Sequence, residues 1–255
     1  MNKNISILGC GWLGKPLAID LIKNGYTTKG STTTPEKIDG LKSDGIEPFI
    51  IDISTRENEL TLFLNTDVLI IPITSKSSTD FSYLITQIKK ANIKKVIFIS
   101  STSVYENANE IVTEETLTKT TALSEIEELF RNNTSFETTI LRFGGLFGYN
   151  RNPGNFFKSG KKIDNPEGFI NFIHQDDCIQ IIKKIISENC WGETFNACSD
   201  DHPKRREFYK KVIKKAGRPT PQFNEEATNN YKIVSSEKLK KLLDYTFIYS
   251  NLMEI

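Results

Sequence analysis

Short runs of apolar residues alternate along the chain with segments in which apolar residues recur at helical spacing. The short runs predict strands at Ile5–Leu8, Tyr26–Ser31, Pro48–Ile53, Val68–Ile73, Val96–Ser100, Thr138–Arg142 and Thr194–Ala197. Two helical stripes stand between them, one formed by Phe81, Leu84, Ile85, Ile88 and Ala91 and one by Cys178, Ile181, Ile182, Ile185 and Ile186. Near-continuous apolar strands separated by amphipathic helices are typical of a parallel sheet covered on both faces. With right-handed crossovers, the pattern predicts an α/β fold with a doubly wound parallel sheet of about seven strands.

The pattern weakens after Gly144, where glycine and proline become frequent and no clear period remains. We expect this stretch to run outside the sheet as part of a cap. A later helix carries Phe208, Val212, Ile213 and Ala216 on one face. Its many lysines and arginines predict a solvated face, because no aromatic residues are interleaved with them as in a groove that binds single strands.

Length, net charge and cysteine content limit which classes of protein this chain can belong to. A chain of 255 residues suffices for one large α/β domain or for a core domain with a smaller cap. The net charge of +1 gives no electrostatic reason to expect nucleic acid or an acidic membrane as a partner. The four cysteines form no C-x-x-C pair and the histidines do not cluster, which argues against a disulfide framework and against a metal site. The start, Met1 to Asn4, leaves no room for a signal peptide, and no apolar run approaches the roughly 20 residues of a membrane helix. We therefore expect a soluble protein of the reducing cytoplasm.

The first predicted strand leads into GCGWLG, in which Gly9, Gly11 and Gly14 have G-x-G-x-x-G spacing. Alone this pattern is weak, but here it follows a strand and opens the helix predicted at Trp12–Asn24, the context that a dinucleotide-binding loop requires. Gly9 permits the tight turn, Gly11 lets a pyrophosphate approach the backbone, and Gly14 lets helix and strand pack closely. The helix N-terminus then presents free N–H groups and a positive dipole end to the phosphate. The alternative is a glycine-rich turn without a ligand.

The end of the second predicted strand, KGSTTTPEK, bears on the choice of dinucleotide. Sites that prefer NAD usually carry an acidic residue about 20 residues after the glycines, which accepts from the ribose hydroxyls. No acidic residue occurs here before Glu36, and Lys29 and Lys37 add positive charge. Three hydroxyl residues can bond a phosphate without repelling it: Ser31, Thr32 and Thr33. We therefore predict NADP in preference to NAD, the alternative being that Thr34 before Pro35 only caps the next helix.

Four motifs occur in the order seen in the extended short-chain dehydrogenase/reductases, the NAD-dependent epimerase/dehydratase group: GCGWLG, ISSTSVYE, LRFGGLFG and NFIHQDDC. The chain resembles most closely an atypical bacterial branch whose members carry the GCGWLG start. The resemblance runs from Ile5 to about Tyr245, and LRFGGLFGYNRNPG is its most specific part. It implies a nicotinamide-binding Rossmann domain, which we place at residues 1–148 and 170–198. A smaller C-terminal substrate-side region would comprise residues 149–169 and 199–255.

The resemblance also implies a catalytic centre. Ser101 matches the active-site hydroxyl that binds the reacting oxygen. The family's proton donor is a tyrosine four residues before a lysine, whose charge depresses the tyrosine pKa so that it can act near neutral pH. None of the eight tyrosines here has a lysine four positions later. Aligned through Glu127 and Glu128, the tyrosine position falls on Thr120 and the lysine position on Ser124, and neither hydroxyl titrates near pH 7.

Several further candidates each have a structural alternative. Tyr105 either reaches a substrate, as a second catalytic residue beside Ser101, or packs below the cap. Arg151 either holds a phosphate or carboxylate of the substrate or is only solvated, and His174 is either structural or a relocated acid–base group. The resemblance implies an adenine-side contact at Asp52, with Ile53 packing the ring. We predict further cofactor contacts at Trp12, Leu13 and Pro72.

Three functions remain open on this evidence. One is an NADP-binding protein of the atypical short-chain dehydrogenase/reductase type with altered chemistry. Another is a sugar-nucleotide epimerase, dehydratase or reductase with a relocated acid–base group. The third is a redox sensor that presents its NADP(H) state to a protein partner. The substrate would be a small molecule, with a nucleotide sugar among the candidates, and the oligomeric state stays open.

Overall fold

Strands and helices alternate along most of the chain in the computed structural model, which describes residues 3–56, 60–157 and 160–255. The strands are β1 (Asn4–Ile7), β2 (Thr27–Thr32), β3 (Glu47–Ile50), β4 (Val68–Ile71), β5 (Lys95–Ser101), β6 (Glu110–Val112), β7 (Glu137–Phe143), β8 (Gly145–Phe147), β9 (Phe172–His174), β10 (Thr194–Ala197) and β11 (Lys232–Val234). The α-helices are α1 (Gly14–Lys23), α2 (Ile38–Ser43), α3 (Leu60–Phe63), α4 (Ser78–Ala91), α5 (Ala122–Arg131), α6 (Gln175–Ser187), α7 (Arg205–Lys215) and α8 (Glu237–Leu243).

Seven strands form an all-parallel central sheet in the order β10-β7-β5-β4-β1-β2-β3, which confirms the predicted fold class. The chain starts at β1, runs outward through β2 and β3, and then returns to β4 on the other side of β1. This reversal creates a switch point between β1 and β4. In doubly wound sheets, ligands bind in the crevice beyond the carboxyl ends of the strands at such a point.

The third strand is shorter than predicted and ends at Ile50 rather than at Ile53. The apolar character of Ile51 and Ile53 continues the strand pattern, and both side chains are buried. Between them, however, Oδ1 of Asp52 accepts the N–H of Ser54 at 2.9 Å and closes a turn. The side chains after Ile50 are therefore buried without being part of a strand. The reason is that the Asp52 side chain, and not a neighbouring strand, accepts the backbone N–H of Ser54.

The chain forms two compact units. Unit 1 comprises Met1–Ser100, Thr120–Leu141 and Ile182–Thr194, and unit 2 comprises Ser101–Lys119, Arg142–Ile181 and Phe195–Ile255. The core of unit 1 is made of aliphatic and aromatic residues from the strands, α4 and α5, and that of unit 2 centres on β8 and α7. The predicted domain boundaries follow the course of the motifs rather than these units and stay a prediction. Seven residues that those predictions include lie outside the described residues: Met1, Asn2, Glu57, Asn58, Glu59, Lys158 and Ser159.

The two smaller sheets belong to unit 2. Strand β6 pairs in parallel with β11, and β8 pairs in parallel with β9. We expected the stretch after Gly144 to run outside the main sheet. Its strand β8 pairs with β9 in a separate two-stranded sheet. The later predicted helix is α7, which buries Phe208, Val212 and Ile213 of the predicted stripe together with Tyr209, while Ala216 caps its C-terminus and is half-buried.

Within the described ranges, no helix combines the length and apolar character that crossing a bilayer requires. Among the same residues, no group of three or more His, Cys, Asp or Glu side chains is arranged to hold a metal ion. All four cysteines are free thiols, and three of them are buried.

Candidate functional site

The glycine-rich loop lies between β1 and α1, and two of its glycines are required by packing. Gly9 has a φ of +110°, which L-residues rarely adopt, and a Cβ there would come within 2.7 Å of Cγ2 of Ile73. A Cβ on Gly14 would overlap the carbonyl oxygen of Gly9. Strand, loop and helix can therefore pack in this way only when both positions are glycine.

Gly11 is different, because no atom of the described part of the chain requires it to be glycine. It has no positive φ, and a Cβ on it would meet no atom of residues 3–56, 60–157 and 160–255 within 4 Å. The residues that follow, half-buried Trp12 and buried Leu13, lead directly into α1. Free N–H groups at a helix N-terminus bind phosphate, and a pyrophosphate crossing the backbone at Gly11 would use the space that a Cβ would fill. The loop therefore fits a dinucleotide.

Ser31, near the end of β2, holds this loop in place. Its Oγ accepts the N–H of Gly9 at 2.9 Å, and its carbonyl oxygen accepts the N–H of Cys10 at 2.7 Å. The preceding Gly30 leaves room for the Cys10 side chain, whose Sγ a Cβ would overlap. Burial raises the pKa of the Cys10 thiol to about 12, so this cysteine is an unreactive packing group. The predicted cofactor residue Ser31 thus also fixes the geometry of the loop.

The other polar residues of β2 are partly engaged within the protein. Oγ1 of Thr32 accepts the backbone N–H two residues further on, at 3.1 Å. The ammonium of Lys29 donates to the carbonyls of Leu62 and Asn65, at 2.5 and 2.9 Å. Thr33 is exposed. Of the three predicted hydroxyl residues, Thr33 is therefore the one most open to a ligand.

The predicted adenine-side residues lie after β3 and β4. Oδ1 of Asp52 accepts both the N–H and the hydroxyl of Ser54, at 2.9 and 2.7 Å, and these bonds lower the pKa of Asp52. Ile53 is buried in the core of unit 1, whereas Pro72 is half-buried directly after β4. Asp52 keeps a carboxylate near the protein surface, while Ile53 serves the core.

A buried carboxylate stands beside the end of β5. Glu127, on α5, is fully buried, and its Oε1 accepts the hydroxyl of Ser100 at 2.5 Å. Its Oε2 accepts from Nη2 of Arg131 at 2.9 Å. We did not predict a role for Glu127, although its place on the apolar face of a helix, next to Ile126 and before Phe130, is a signal in the sequence. The paired carboxylate fixes Ser100 and ties α5 to β5.

In unit 2, Ser101 begins the turn that follows β5. Its side chain is half-buried, and its Oγ accepts the N–H of Ser103 at 3.1 Å. A hydroxyl that accepts in this way still carries its own hydrogen to donate. Ser101 can therefore orient an oxygen of a ligand, but it cannot titrate near neutral pH.

Tyr105 is fully buried in unit 2 and bound on both sides. Its hydroxyl accepts from Nη1 of Arg142 at 2.5 Å and donates to Oδ1 of Asn196 at 2.9 Å. The guanidinium of Arg142 also lies 5.0 Å from the centre of the tyrosine ring. Burial raises the pKa of Tyr105, although Arg142 opposes the shift. These contacts support the structural alternative for Tyr105.

The helix that should carry the tyrosine and lysine pair is α5, and it begins with a capping box. Oγ1 of Thr121 accepts the N–H of Ser124 at 3.1 Å, and Oγ of Ser124 accepts the N–H of Thr121 at 2.9 Å. Thr120 precedes this cap and is exposed. The hydroxyl at the lysine position therefore satisfies the helix N-terminus.

His174 and Arg151 are both engaged in unit 2. The His174 ring is buried, stacks on Tyr249 with 3.7 Å between ring centres, and accepts the N–H of Asp176 through Nδ1 at 3.2 Å. Burial lowers the pKa of His174. Arg151 is exposed, and its Nε donates to the carbonyl of Leu146 at 2.7 Å. The environment of His174 supports its structural interpretation, whereas Arg151 keeps its charge at the surface.

Known proteins resemble this chain over nearly its whole length. Protein YeeZ of Escherichia coli (strain K12) is 30% identical to this chain, over 97% of this chain and 96% of that protein. A functionally unknown conserved protein from Silicibacter pomeroyi has a TM-score of 0.84 at 20% identity, over 99% of this chain and 96% of that chain. UDP-glucuronic acid 4-epimerase from Bacillus cereus, solved in complex with NAD, has a TM-score of 0.79 at 19% identity, over 98% and 95% of the two chains. At such identities these two structures show the shared fold.

A family model described as NAD(P)H-binding matches residues 9–177, from the first glycine of the loop to the start of α6. The match covers more than half of the chain and includes the loop, the end of β2 and the turn after β5. It confirms the predicted cofactor class, NAD(P). Together with the loop at Gly9, Gly11 and Gly14, it shows that the chain belongs to the NAD(P)H-binding family.

Proposed function

We propose that this protein is an NADP-binding short-chain dehydrogenase/reductase of the atypical type, active in the cytoplasm and lacking the usual Tyr-x-x-x-Lys pair. The observation that carries the proposal is the contrast among the loop glycines. Gly9 and Gly14 are needed for packing, while a Cβ on Gly11 would meet no atom of the described residues within 4 Å. A bound dinucleotide would explain why position 11 is a glycine, because its pyrophosphate needs the space that a side chain would fill. The nicotinamide of such a cofactor would supply hydride transfer.

The preference for NADP rests on the residues at the end of β2. A carboxylate there would accept from a ribose hydroxyl and repel a 2′-phosphate, and none is present before Glu36. We assign the main phosphate contact to exposed Thr33. Ser31 and Thr32 already accept backbone N–H groups, but each hydroxyl retains a hydrogen that it can donate.

The altered chemistry follows from what the residues at the expected catalytic positions do. Ser124 serves a helix cap, and Tyr105 is buried between Arg142 and Asn196. We assign Ser101 the role of binding the reacting oxygen, because its hydroxyl can donate while its Oγ accepts from the backbone. Proton transfer would then fall to the substrate, to water or to a group that the ligand brings into place.

A matched pair of glycine variants tests the proposal. Gly11→Ala should weaken NADPH binding at least about tenfold, or about 1.4 kcal/mol, because the new methyl group occupies the space of the pyrophosphate. Gly40→Ala, on α2, also faces open space without a positive φ and should bind like the wild type. Fluorescence titration with NADPH and NADH gives the affinities, and melting temperatures show that both variants fold.

Two outcomes would contradict the proposal. One is the absence of binding by either nucleotide at concentrations of about 100 µM. The other is a Gly11→Ala protein that binds as tightly as Gly40→Ala, since the loop would then hold no pyrophosphate. Tighter binding of NADH than of NADPH would reverse only the preference assigned to Thr33 and its neighbours.

A further inference from the structure

Two lysines of unit 2 lie beside the turn that follows Ser101. Lys232, on β11, donates through Nζ to the carbonyl of Tyr105 at 2.7 Å. The backbone N–H of Lys119 donates to the carbonyl of Val104 at 2.9 Å. Both lysine side chains are half-buried. Although 113 positions separate these two residues in the chain (232 minus 119), the fold brings both to consecutive residues of one turn.

Among the described residues, no carboxylate in direct contact balances the positive charge of Lys232. Within the described ranges its ammonium makes one hydrogen bond, to a neutral carbonyl, and no ion pair. Burial lowers the pKa of Lys232, and the nearby charge of Lys119 lowers it further. Glu106, which is exposed, and the Cys198 thiol act in the opposite direction with smaller effects. A half-buried ammonium with a second cation beside it is stabilised when an anion joins it.

The place of the turn in the fold also favours a ligand. Ligands of doubly wound sheets bind beyond the carboxyl ends of the strands, and this turn begins at Ser101, the last residue of β5. Arg142 is closed to such a ligand, because it is buried against the Tyr105 hydroxyl. Lys232 therefore offers the more accessible cation beside this turn.

We propose that Lys232, together with Lys119, binds an anionic group of the substrate, a phosphate or a carboxylate, beside the turn from Ser101 to Tyr105. The proposal rests on the proposed function, since it takes the anion to belong to the molecule that reacts with the nicotinamide. An ammonium acts as a point charge with rotatable donors, so it accepts either anion without a fixed fork geometry. Neither lysine lies in the four motifs that the resemblance is based on.

The test uses the protein saturated with NADPH, so that added anions cannot occupy the glycine loop. Inorganic pyrophosphate and sodium glucuronate are titrated by calorimetry at constant ionic strength, and the tighter of the two identifies the anion class. Lys232→Met should weaken that binding at least about tenfold, whereas Lys232→Arg, which keeps the charge, should stay within about threefold. Lys241→Met removes the same charge from an exposed position on α8 and should leave binding unchanged.

A second readout follows the lysine itself. Binding of an anion should raise the pKa of Lys232, because an opposite charge favours the ammonium form. NMR of selectively labelled lysine, with the resonance assigned through Lys232→Arg, measures that change. This rise in the pKa of Lys232 is measured in the wild type, so it does not depend on whether a variant has lost structure.

The inference is wrong if neither anion binds the NADPH-saturated wild type, or if Lys232→Met and Lys241→Met weaken binding equally. The NADPH affinity is measured before the anions are added. It therefore tests the proposed function separately, whichever of these results is found. Lys232→Met also loses its bond to the Tyr105 carbonyl, so its melting temperature is measured. Where that variant does not fold, Lys119→Met takes its place with the same two decisive outcomes.

Discussion

At the scale of single residues, Tyr105 illustrates how neighbours decide what a titratable group does. Arg142 has only donors, so the Tyr105 oxygen must accept from it, and the phenolic hydrogen is then directed to Asn196. Ionising the phenol would remove the bond to Asn196 inside a buried cluster. The sequence places Tyr105 next to a candidate centre but cannot show these partners, which lie 37 and 91 positions away.

Replacing Tyr105 with phenylalanine tests this assignment. Tyr105→Phe removes one hydroxyl and leaves Nη1 of Arg142 and Oδ1 of Asn196 without that partner. Buried polar groups left unpaired cost about 1–3 kcal/mol, so the free energy of unfolding should fall by about that amount. NADPH affinity should not change. Urea unfolding and nucleotide titration measure the two quantities.

The control for this variant is Tyr26→Phe. The Tyr26 hydroxyl makes no hydrogen bond to another described residue, and its side chain is half-buried. This change should alter stability by less than about 0.5 kcal/mol. Equal stability of Tyr105→Phe and Tyr26→Phe would count against the structural assignment of Tyr105.

At the scale of elements, periodicity predicts the helices and strands better than it predicts their ends. The apolar stripe of α4 is buried as expected at Phe81, Leu84, Ile85 and Ile88, because helical spacing and burial on one face are the same property. Element ends depend instead on which group satisfies the backbone. The Asp52 turn that ends β3 and the cap that starts α5 are both made by side chains, and neither changes the apolar pattern.

The capping box of α5 makes the next prediction. Thr121→Ala and Ser124→Ala should each lower the free energy of unfolding by about 0.5–2 kcal/mol, because each removes a partner of an N-terminal N–H group. The double variant should lose less than the sum of the two, since both hydroxyls serve one reciprocal pair. NADPH affinity should stay unchanged in all three. Chemical unfolding with nucleotide titration provides both measurements.

Thr120→Ala is the matched control, because Thr120 is exposed one position before the cap. It should change stability by no more than about 0.5 kcal/mol. Losses that add fully in the double variant would show that Thr121 and Ser124 act independently. A loss of NADPH binding in Ser124→Ala would instead give that hydroxyl a role at the cofactor.

At the scale of the whole molecule, the predictable part of the site is the part that is local in sequence. The glycine loop is contained in residues 9–14 and follows a strand, so spacing and context suffice to identify it. The contact of Lys232 with the Tyr105 carbonyl joins positions 127 residues apart. No local pattern encodes such a contact, because it depends on how the chain returns after the sheet is complete.

The charged residues around α7 likewise have partners that the local sequence does not reveal. The lysines and arginines around α7 form a basic run in the sequence, and we expected them to be solvated. In the structure, Arg206 pairs with Glu167 and Glu225, and Lys204 pairs with Glu167. The partners come from other segments and pair with Lys204 and Arg206, while the four lysines of the helix are exposed as expected.

The pH dependence of stability is the prediction that belongs to the whole molecule, because both histidines of the chain are affected in the same sense. Burial lowers the pKa of His174 and of His202. In the unfolded chain each titrates near pH 6.5, so as the pH falls the unfolded state takes up protons before the folded state does. Stability should therefore be fully present above about pH 7 and fall as the pH drops below about 6.5, by at most about 1.4 kcal/mol per pH unit for each histidine. Asp177, whose pKa burial raises, acts in the opposite sense as it protonates at lower pH.

Urea unfolding at pH values from about 7.5 to about 5.5 spans the range in which the unfolded histidines titrate. His174→Gln and His202→Gln should each flatten the dependence, since a glutamine takes up no proton in either state. The double variant should leave only a shallow residual slope from the carboxylates. Stability of the wild type that rises as the pH falls through this range would contradict the prediction, because it would require the folded state to bind more protons than the unfolded chain. An unchanged slope in the double variant would assign the dependence to other groups.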